Sequence, residues 1–370
     1  MDAEQHILCL GARTQLDGAA EEELRKLLAG PVDWERLWEQ AHLHEVIPLL
    51  ASSLQRLPEP VAIPDGWLRR AERRTRATLL QNLVLADELV RVVRAFQEGG
   101  VTPVPVKGVV LAETIYGGLA LRPAADLDVL VPARELAGAR ELLAALGYGQ
   151  SDAPPFEAAH HPFHDAQYFT ETGAGVVCLE LHSALWNPRF HRPDEGLWDR
   201  LVPGELRGVS VLLLSPEDTL LHLAVHRARS PLRLRFLCDV AEAVRRHGDG
   251  LEWEILVRRA GALDARTALY SSLRLSRDLL GAPVPPASLE GLRVGALKRR
   301  LLDRTCGPPA LFRPATPGDA SQQPSLALRA LEQDGLARIG VTLAAEVTRK
   351  VEKRRYARLL EKTSSGRAPA

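Results

Sequence analysis

Hydrophobic positions recur at helical spacing between residues 19 and 57, shorten to strand-like runs between about 101 and 181, and return to helical spacing from Pro216 onward. Residues 19–28 form an amphipathic helix stopped at Gly30-Pro31. Asp33 serves as N-cap of a second helix carrying Trp34, Leu37, Trp38 and Ala41, and Pro48 starts a short third one. After a Pro-rich connector over 57–64, apolar residues including Leu79, Leu83, Leu89, Val92 and Phe96 predict a long helix over 67–97, closed by Gly99-Gly100. The β-branched run 101–106 then predicts a strand. Lys107-Gly108 opens a short helix over 109–116, 127–131 forms a second strand, and a helix spans 133–146. Residues 166–170 and 176–181 predict a hairpin turned at 171–175. Helices follow at 216–229 (Ser215 as N-cap), 232–247, 252–261, 265–281 and 288–304.

The pattern therefore predicts a small α/β unit between two helical regions. The boundaries are a helical region 1–99, a core 100–200, a helical domain 201–305, a Pro/Ser/Gln-rich linker 306–324, and charged helices with a disordered tail over 325–370. At 370 residues and 46% apolar composition the chain has ample material for a core. Its zero formal net charge argues against a broad nucleic-acid or anionic-membrane surface, so nucleic acid is an unlikely partner. Cys9, Cys178, Cys238 and Cys306 lack paired spacing and read as reduced thiols. The acidic N-terminus lacks a signal-peptide core, and no apolar run is long enough to span a bilayer; a cytoplasmic protein is expected.

The candidate chemistry lies in Arg122-Pro-Ala-Ala-Asp126-Leu-Asp128-Val-Leu-Val131. On a strand, Asp126 and Asp128 project to one face and Leu127 and Val129 to the other. Two carboxylates held that close need a cation between them, and Mg²⁺ favours such oxygen sites completed by substrate phosphates. Alternation in the later strand puts Cys178, Glu180 and His182 on one face, which makes Glu180 the third carboxylate. Gly108 at a strand-to-helix junction allows a phosphate close approach, with Lys107 beside it. Arg122 is a candidate for holding a phosphate, with an ion pair to Asp126 as the structural alternative. His160, His161, His164 and His182 raise the question of zinc, but no cysteine pairs accompany them. His222 and His226 are one helical turn apart without the Glu of a zinc protease helix. Satisfied structural histidines are the simpler reading, with His164 and His182 as candidate acceptor contacts.

Together these features resemble the polymerase-β-like nucleotidyltransferase superfamily. They are more closely similar to a large bacterial family of uncharacterised nucleotidyltransferases whose pattern runs Lys-Gly, Tyr, then Arg-x-x-x-Asp-x-Asp. Here those are Lys107-Gly108, Tyr116 and Arg122 to Val131. Gly147-Tyr148, Glu180-Leu181-His182, Pro216-Glu217-Asp218 with Leu223 and His226, and Leu237-Cys238-Asp239 continue it. Three features depart from the wider superfamily: Lys107-Gly108 replaces its usual Gly-Ser, the interval from Gly108 to Asp126 is longer than in minimal members, and Glu stands third among the acids.

The resemblance implies an α+β fold: a small mixed sheet of the nucleotidyltransferase type, N-terminal helices packed beside it, and a C-terminal helical domain closing over the cleft. It implies Asp126, Asp128 and Glu180 as ligands of a two-metal Mg²⁺ site, Glu180 also serving as base. The expected reaction moves a nucleoside monophosphate from an NTP, ATP by default, to a hydroxyl or phosphate of a small-molecule, peptide or protein acceptor. Aminoglycoside modification, AMP transfer to a protein and tailoring of a peptide natural product are the acceptor options. The rival reading is an inactive nucleotidyltransferase-like module that binds a partner through its helical surfaces.

Overall fold

A computed structural model of the chain describes residues 1–58, 61–150, 164–187, 190–313, 326–335, 338–340 and 342, apart from the side chains of 164–166 and 326. Five strands form one mixed sheet in the order β1-β2-β5-β4-β3: β1 (Val104–Val106), β2 (Leu127–Leu130), β3 (Gly149–Gln150), β4 (His164–Thr172) and β5 (Gly175–His182). Only the central β2–β5 pair is parallel; β1–β2, β5–β4 and β4–β3 are antiparallel. Parallel pairing requires a long crossover, which the segment from Val131 to Thr172 supplies. It includes α7 (Leu136–Ala145).

All four residues of β2 are buried, because both faces of the sheet are covered. On one face Leu127, Val129, Leu179 and Leu181 pack with the second half of the long helix α5 (Asp65–Glu98), through Leu85, Leu89, Val92, Val93 and Phe96. On the other face Val104, Val106 and Leu130 meet Leu197 and Leu214. This second face is the one that carries Asp128 and Glu180.

The helices α1 (Ala3–Gly11), α2 (Gly18–Leu28), α3 (Trp34–Leu43) and α4 (Ile47–Gln55) do not pack beside the sheet as the resemblance implied. Their apolar faces, with Trp67 and Ala71 from the start of α5, share one core with the C-terminal helices. The physical reason lies in α5. Its 34 residues span about 50 Å at a helical rise of ~1.5 Å per residue. Its two halves therefore sit in two different cores, and only the second half reaches the sheet.

A two-stranded hairpin, β6 (Val202–Leu206) and β7 (Val209–Leu213), precedes the helical region and is an element that the sequence reading missed. Its turn at Arg207-Gly208 has both residues at positive φ, 49° and 78°. Then come α8 (Pro216–Arg229), α9 (Leu234–His247), α10 (Trp253–Ala262), α11 (Arg266–Leu280), α12 (Pro286–Gly291), α13 (Ala296–Cys306), α14 (Pro308–Leu311) and α15 (Leu326–Leu331). Ser215 caps α8 as expected, accepting from the Asp218 amide at 3.2 Å. The predicted single helix 288–304 is broken between α12 and α13, where Arg293 takes φ 53°. Most of the expected linker and of the helices and tail beyond it falls outside the described residues. No helix among the described residues is long and apolar enough to cross a membrane.

Candidate active site

The carboxylates converge because of strand register. Asp128 is the direct partner of Glu180 across the parallel β2–β5 pair, and of Val106 across β1–β2. Directly paired residues share a face, so Asp128 and Glu180 project together. Asp126 lies at a bend one residue before β2 rather than on the strand, and is only partly buried.

Asp128 is the centre of the group. Its side chain is 4% exposed, and its Oδ1 accepts from two donors: Lys107 Nζ at 2.5 Å and His182 Nε2 at 2.8 Å. Burial opposes the Asp128 charge, but Lys107 and His182 outweigh it and hold this carboxyl well below the usual range. Burial likewise works against the Lys107 ammonium, yet Asp128, then Glu180 and Asp126, push its pKa up. Asp126 goes the other way. Burial and the negative charges of Asp128 and Glu180 raise it to about 6, against the pull of Lys107 and Arg235. Cys178, on the Glu180 face, is also pushed up to about 12 by burial and by the same carboxylates. Three acids thus face one lysine, and the field of the site is negative. Glu180 is partly open at 21% side-chain exposure; Gln167 donates to its Oε1 at 2.8 Å.

Lys107 reaches Asp128 from an unusual backbone. It precedes α6 (Gly108–Thr114) at φ 51°, a conformation that costs a non-glycine residue about 1 kcal/mol or more. Gly108 follows at φ 39°, and a Cβ there would stand 3.1 Å from the Asp126 carbonyl oxygen. Glycine is required by both counts.

Arg122, expected to hold a phosphate, is placed against the helical region instead of toward Asp126. Its Nε and Nη2 form a two-pronged pair with Asp239 of α9, at 2.7 and 2.9 Å, and its Nη1 donates to the Gly108 carbonyl at 3.0 Å. Nor does it pair with Asp126. Tyr116 donates to the same Asp239 at 2.8 Å. The guanidinium fork matches a carboxylate two-to-two, so the buried Asp239 holds it fully. Tyr148 is anchored similarly: its hydroxyl donates to Glu88 of α5 at 2.7 Å.

His182 was expected as an acceptor contact; instead it lies within the acidic group. Among the described residues, Asp128, Glu180 and His182 are the set whose ligand atoms lie within 4.8 Å of one another, in place of the expected Asp126, Asp128 and Glu180. Two oxygens and an imidazole nitrogen suit a divalent cation. His164 pairs with His182 in the β4–β5 register, but its side chain is outside the described residues, as are His160 and His161.

Four contributors escaped the sequence reading. Asn82 of α5 is fully buried and fixes the segment entering Asp126: its Nδ2 donates to the Leu119 and Arg122 carbonyls at 2.7 and 2.8 Å, and its Oδ1 accepts from the Ala124 amide at 3.1 Å. An amide inside the apolar stripe of a helix was the available signal. Asp239 entered only as part of a motif. Arg235 of α9 acts on Asp126 electrostatically while paired with Glu45 at 2.6 Å. His226 of α8 lies within electrostatic reach of Lys107; burial and that ammonium lower its pKa far enough to keep it neutral. Local pattern assigns neither of the last two to the site, although His226 belongs to the Pro216-Glu217-Asp218 motif, because they reach it only through helix packing.

A cavity of about 130 Å³ adjoins Lys107, lined by Val106, Val110, Leu111, Leu213 and His222 among others. That volume suits a benzene-sized group.

The family model described as uncharacterised nucleotidyltransferase matches residues 30–281, more than half of the chain. Among solved structures, a solution structure of the antibiotic-resistance factor ANT(2'')-Ia is similar at 15% identity and a TM-score of 0.34, over 49% of this chain and 92% of that one. A crystal structure of ANT(2'')-Ia with adenylyl-2''-tobramycin gives 14% and 0.33, over 48% and 95%. An antigenic nucleotidyltransferase-like protein from Paracoccidioides brasiliensis gives 16% and 0.33, over 51% and 91%. No curated protein matches the sequence.

Proposed function

This chain belongs to the uncharacterised nucleotidyltransferase family, and from that premise we propose that it transfers a nucleoside monophosphate from an NTP, ATP by default, to a hydroxyl or phosphate of a small-molecule, peptide or protein acceptor. The observation that carries this reading is the register of β2 on β5, which brings Asp128 and Glu180 together two residues beyond Asp126. The group of Asp128, Glu180 and His182 fits a divalent cation such as Mg²⁺, with Asp126 within electrostatic reach of both carboxylates. When bound there, Mg²⁺ supplies the positive charge that neutralises the triphosphate and makes the acceptor hydroxyl more acidic.

The chain's own residues do the rest. Lys107 binds a phosphate oxygen of the donor. Glu180, a partly open carboxylate on the strand beside Asp128, takes the proton from the acceptor hydroxyl at a carboxylate oxygen. The acceptor oxygen then bonds to the α-phosphorus as the bond to the departing pyrophosphate breaks. His182 holds Asp128 in place, and neutral His226 adds no competing charge near Lys107. Arg122 serves as a positioning residue: it ties the Gly108 turn to the helical domain through Asp239.

The test is calorimetric titration of the protein with each of the four NTPs plus Mg²⁺, beside an Asp126→Asn/Asp128→Asn double variant. Mg²⁺-dependent binding of one NTP, lost in the folded variant, is the expected result and names the donor. Absence of binding by folded wild type would sink this reading and favour a partner-binding module.

A further inference from the structure

The lysine at the centre of the acidic group raises a question that its phosphate role does not answer: why a backbone at φ 51° is held in place to aim an ammonium at a carboxylate. A carboxylate oxygen offers about two lone-pair sites. On Asp128 Oδ1 both are taken, one by Lys107 Nζ at 2.5 Å and the other by His182 Nε2 at 2.8 Å. Asp128 is also one of the three residues that would hold a divalent ion, with Glu180 and His182. The lysine side chain is only 12% exposed, so its charge is screened little by water and stays committed to the acids. The turn is built for this: Gly108 packs so close to the Asp126 carbonyl that any Cβ would crowd it.

We propose that Lys107 is the resident cation of the carboxylate group, so that a divalent ion enters only together with a triphosphate, whose oxygens receive the displaced ammonium. This rests on the nucleotidyltransferase reading above. Without nucleotide, a metal must break the Lys107–Asp128 pair and leave a buried ammonium with no equal partner. With nucleotide, the phosphates supply one, and the long flexible side chain of lysine lets it move from carboxylate to phosphate. Metal and triphosphate thereby bind with positive coupling, and the site resists free metal ions.

The experiment measures Mn²⁺ binding by electron paramagnetic resonance, with and without inorganic tripolyphosphate, corrected for Mn²⁺ held by the tripolyphosphate itself. This probe carries the phosphates and needs no knowledge of the base. Wild type is expected to bind Mn²⁺ roughly tenfold or more tightly when tripolyphosphate is present. K107M should gain roughly tenfold in affinity for Mn²⁺ alone and lose most of the coupling, whereas K107R keeps wild-type behaviour. Equal Mn²⁺ affinity of wild type with and without tripolyphosphate overturns the proposal, as does a folded K107M that binds Mn²⁺ no better than wild type. Should circular dichroism show K107M unfolded, wild-type coupling decides alone. Mn²⁺–tripolyphosphate binding without coupling defeats this inference only; no binding of either, together or apart, defeats the transferase reading as well.

Discussion

Two buried clusters of charge meet at the Lys107-Gly108 turn, and they differ in balance. In one, Arg122 and Asp239 match one to one, both carboxylate oxygens are used, and Tyr116 adds a further donor. In the other, Asp126, Asp128 and Glu180 face Lys107, with His182 at hand. Both contain acids and a cation, and burial alone does not tell them apart. The first is closed and leaves no valence for a ligand. The second carries surplus negative charge; burial, with that charge, pushes Asp126 up to about 6, and the cluster opens to solvent at Glu180. Unbalanced charge beside an opening marks a place for a missing cation; matched charge marks a joint.

The largest effect that tests this contrast is on activity. Asp128→Asn should lower kcat by orders of magnitude while far-ultraviolet circular dichroism stays native, measured as NTP turnover once a donor is known. Near-wild-type turnover by the folded variant would mean that the open cluster is not where the chemistry occurs. Next in size is Asp239→Asn. It leaves the Arg122 charge buried with half its partner and should cost about 3–5 kcal/mol in chemical denaturation. An Arg122→Met/Asp239→Leu double variant removes both charges and should recover to within about 1 kcal/mol of wild type. A double variant as unstable as the single one would show that the joint does more than satisfy itself.

Much of this contrast was legible in the sequence, and the rest was hidden for identifiable reasons. Alternation in β5 and the Asp126-x-Asp128 spacing located the acidic group, because side-chain direction on a strand follows directly from residue parity. The same parity argument placed His182 on the correct face. It could not reveal that His182 bonds Asp128, since cross-strand distance depends on register. Arg122 was misread for a related reason: its partner, Asp239, is 117 residues away. Pairing over that separation is decided by how α9 packs on the turn, and local pattern carries no trace of it. The β6–β7 hairpin was missed because Pro203 and Gly204 interrupt its first strand and disguise the alternation. Helices α2 to α5 were read as helices and α5 does pack on the sheet, but α1 was not read, and the packing of α2 to α4 on the C-terminal helices was hidden, since amphipathicity says which face is buried but not against what.

A smaller effect probes the joint from its third member. Tyr116→Phe removes one hydroxyl that donates to Asp239 and leaves the Arg122 pair intact. Hydrogen bonds to charged acceptors contribute about 1.5–3 kcal/mol; with Arg122 still in place the low end, about 1.5 kcal/mol, is expected from urea denaturation. A loss as large as that of Asp239→Asn would mean that the tyrosine, not the arginine, holds the joint.

The smallest effect has the opposite sign and separates the clusters most sharply. Removing a charge from the closed cluster destabilises; removing Asp126 from the open cluster should stabilise. Asp126 has its folded pKa raised from 3.8 to about 6 by burial and by Asp128 and Glu180. A raised carboxyl favours the protonated form in the folded state. Its favourable contribution is therefore present below about pH 4 and lost as pH rises toward 6, beyond which the ionised group works against the fold. Asp126→Asn carries no such charge. In the absence of metal it should match wild type near pH 4 and exceed it by about 1–2 kcal/mol above pH 6, a figure discounted for the partial exposure of the side chain. Mg²⁺ with a bound NTP should reverse the order, because the cation turns the surplus charge from a cost into a ligand. Denaturation curves at pH 4 and pH 7.5, with and without Mg²⁺ and NTP, check both statements. An Asp126→Asn variant less stable than metal-free wild type at pH 7.5 would place Asp126 among the satisfied charges, and the distinction between the two clusters would then rest on Asp128 and Glu180 alone.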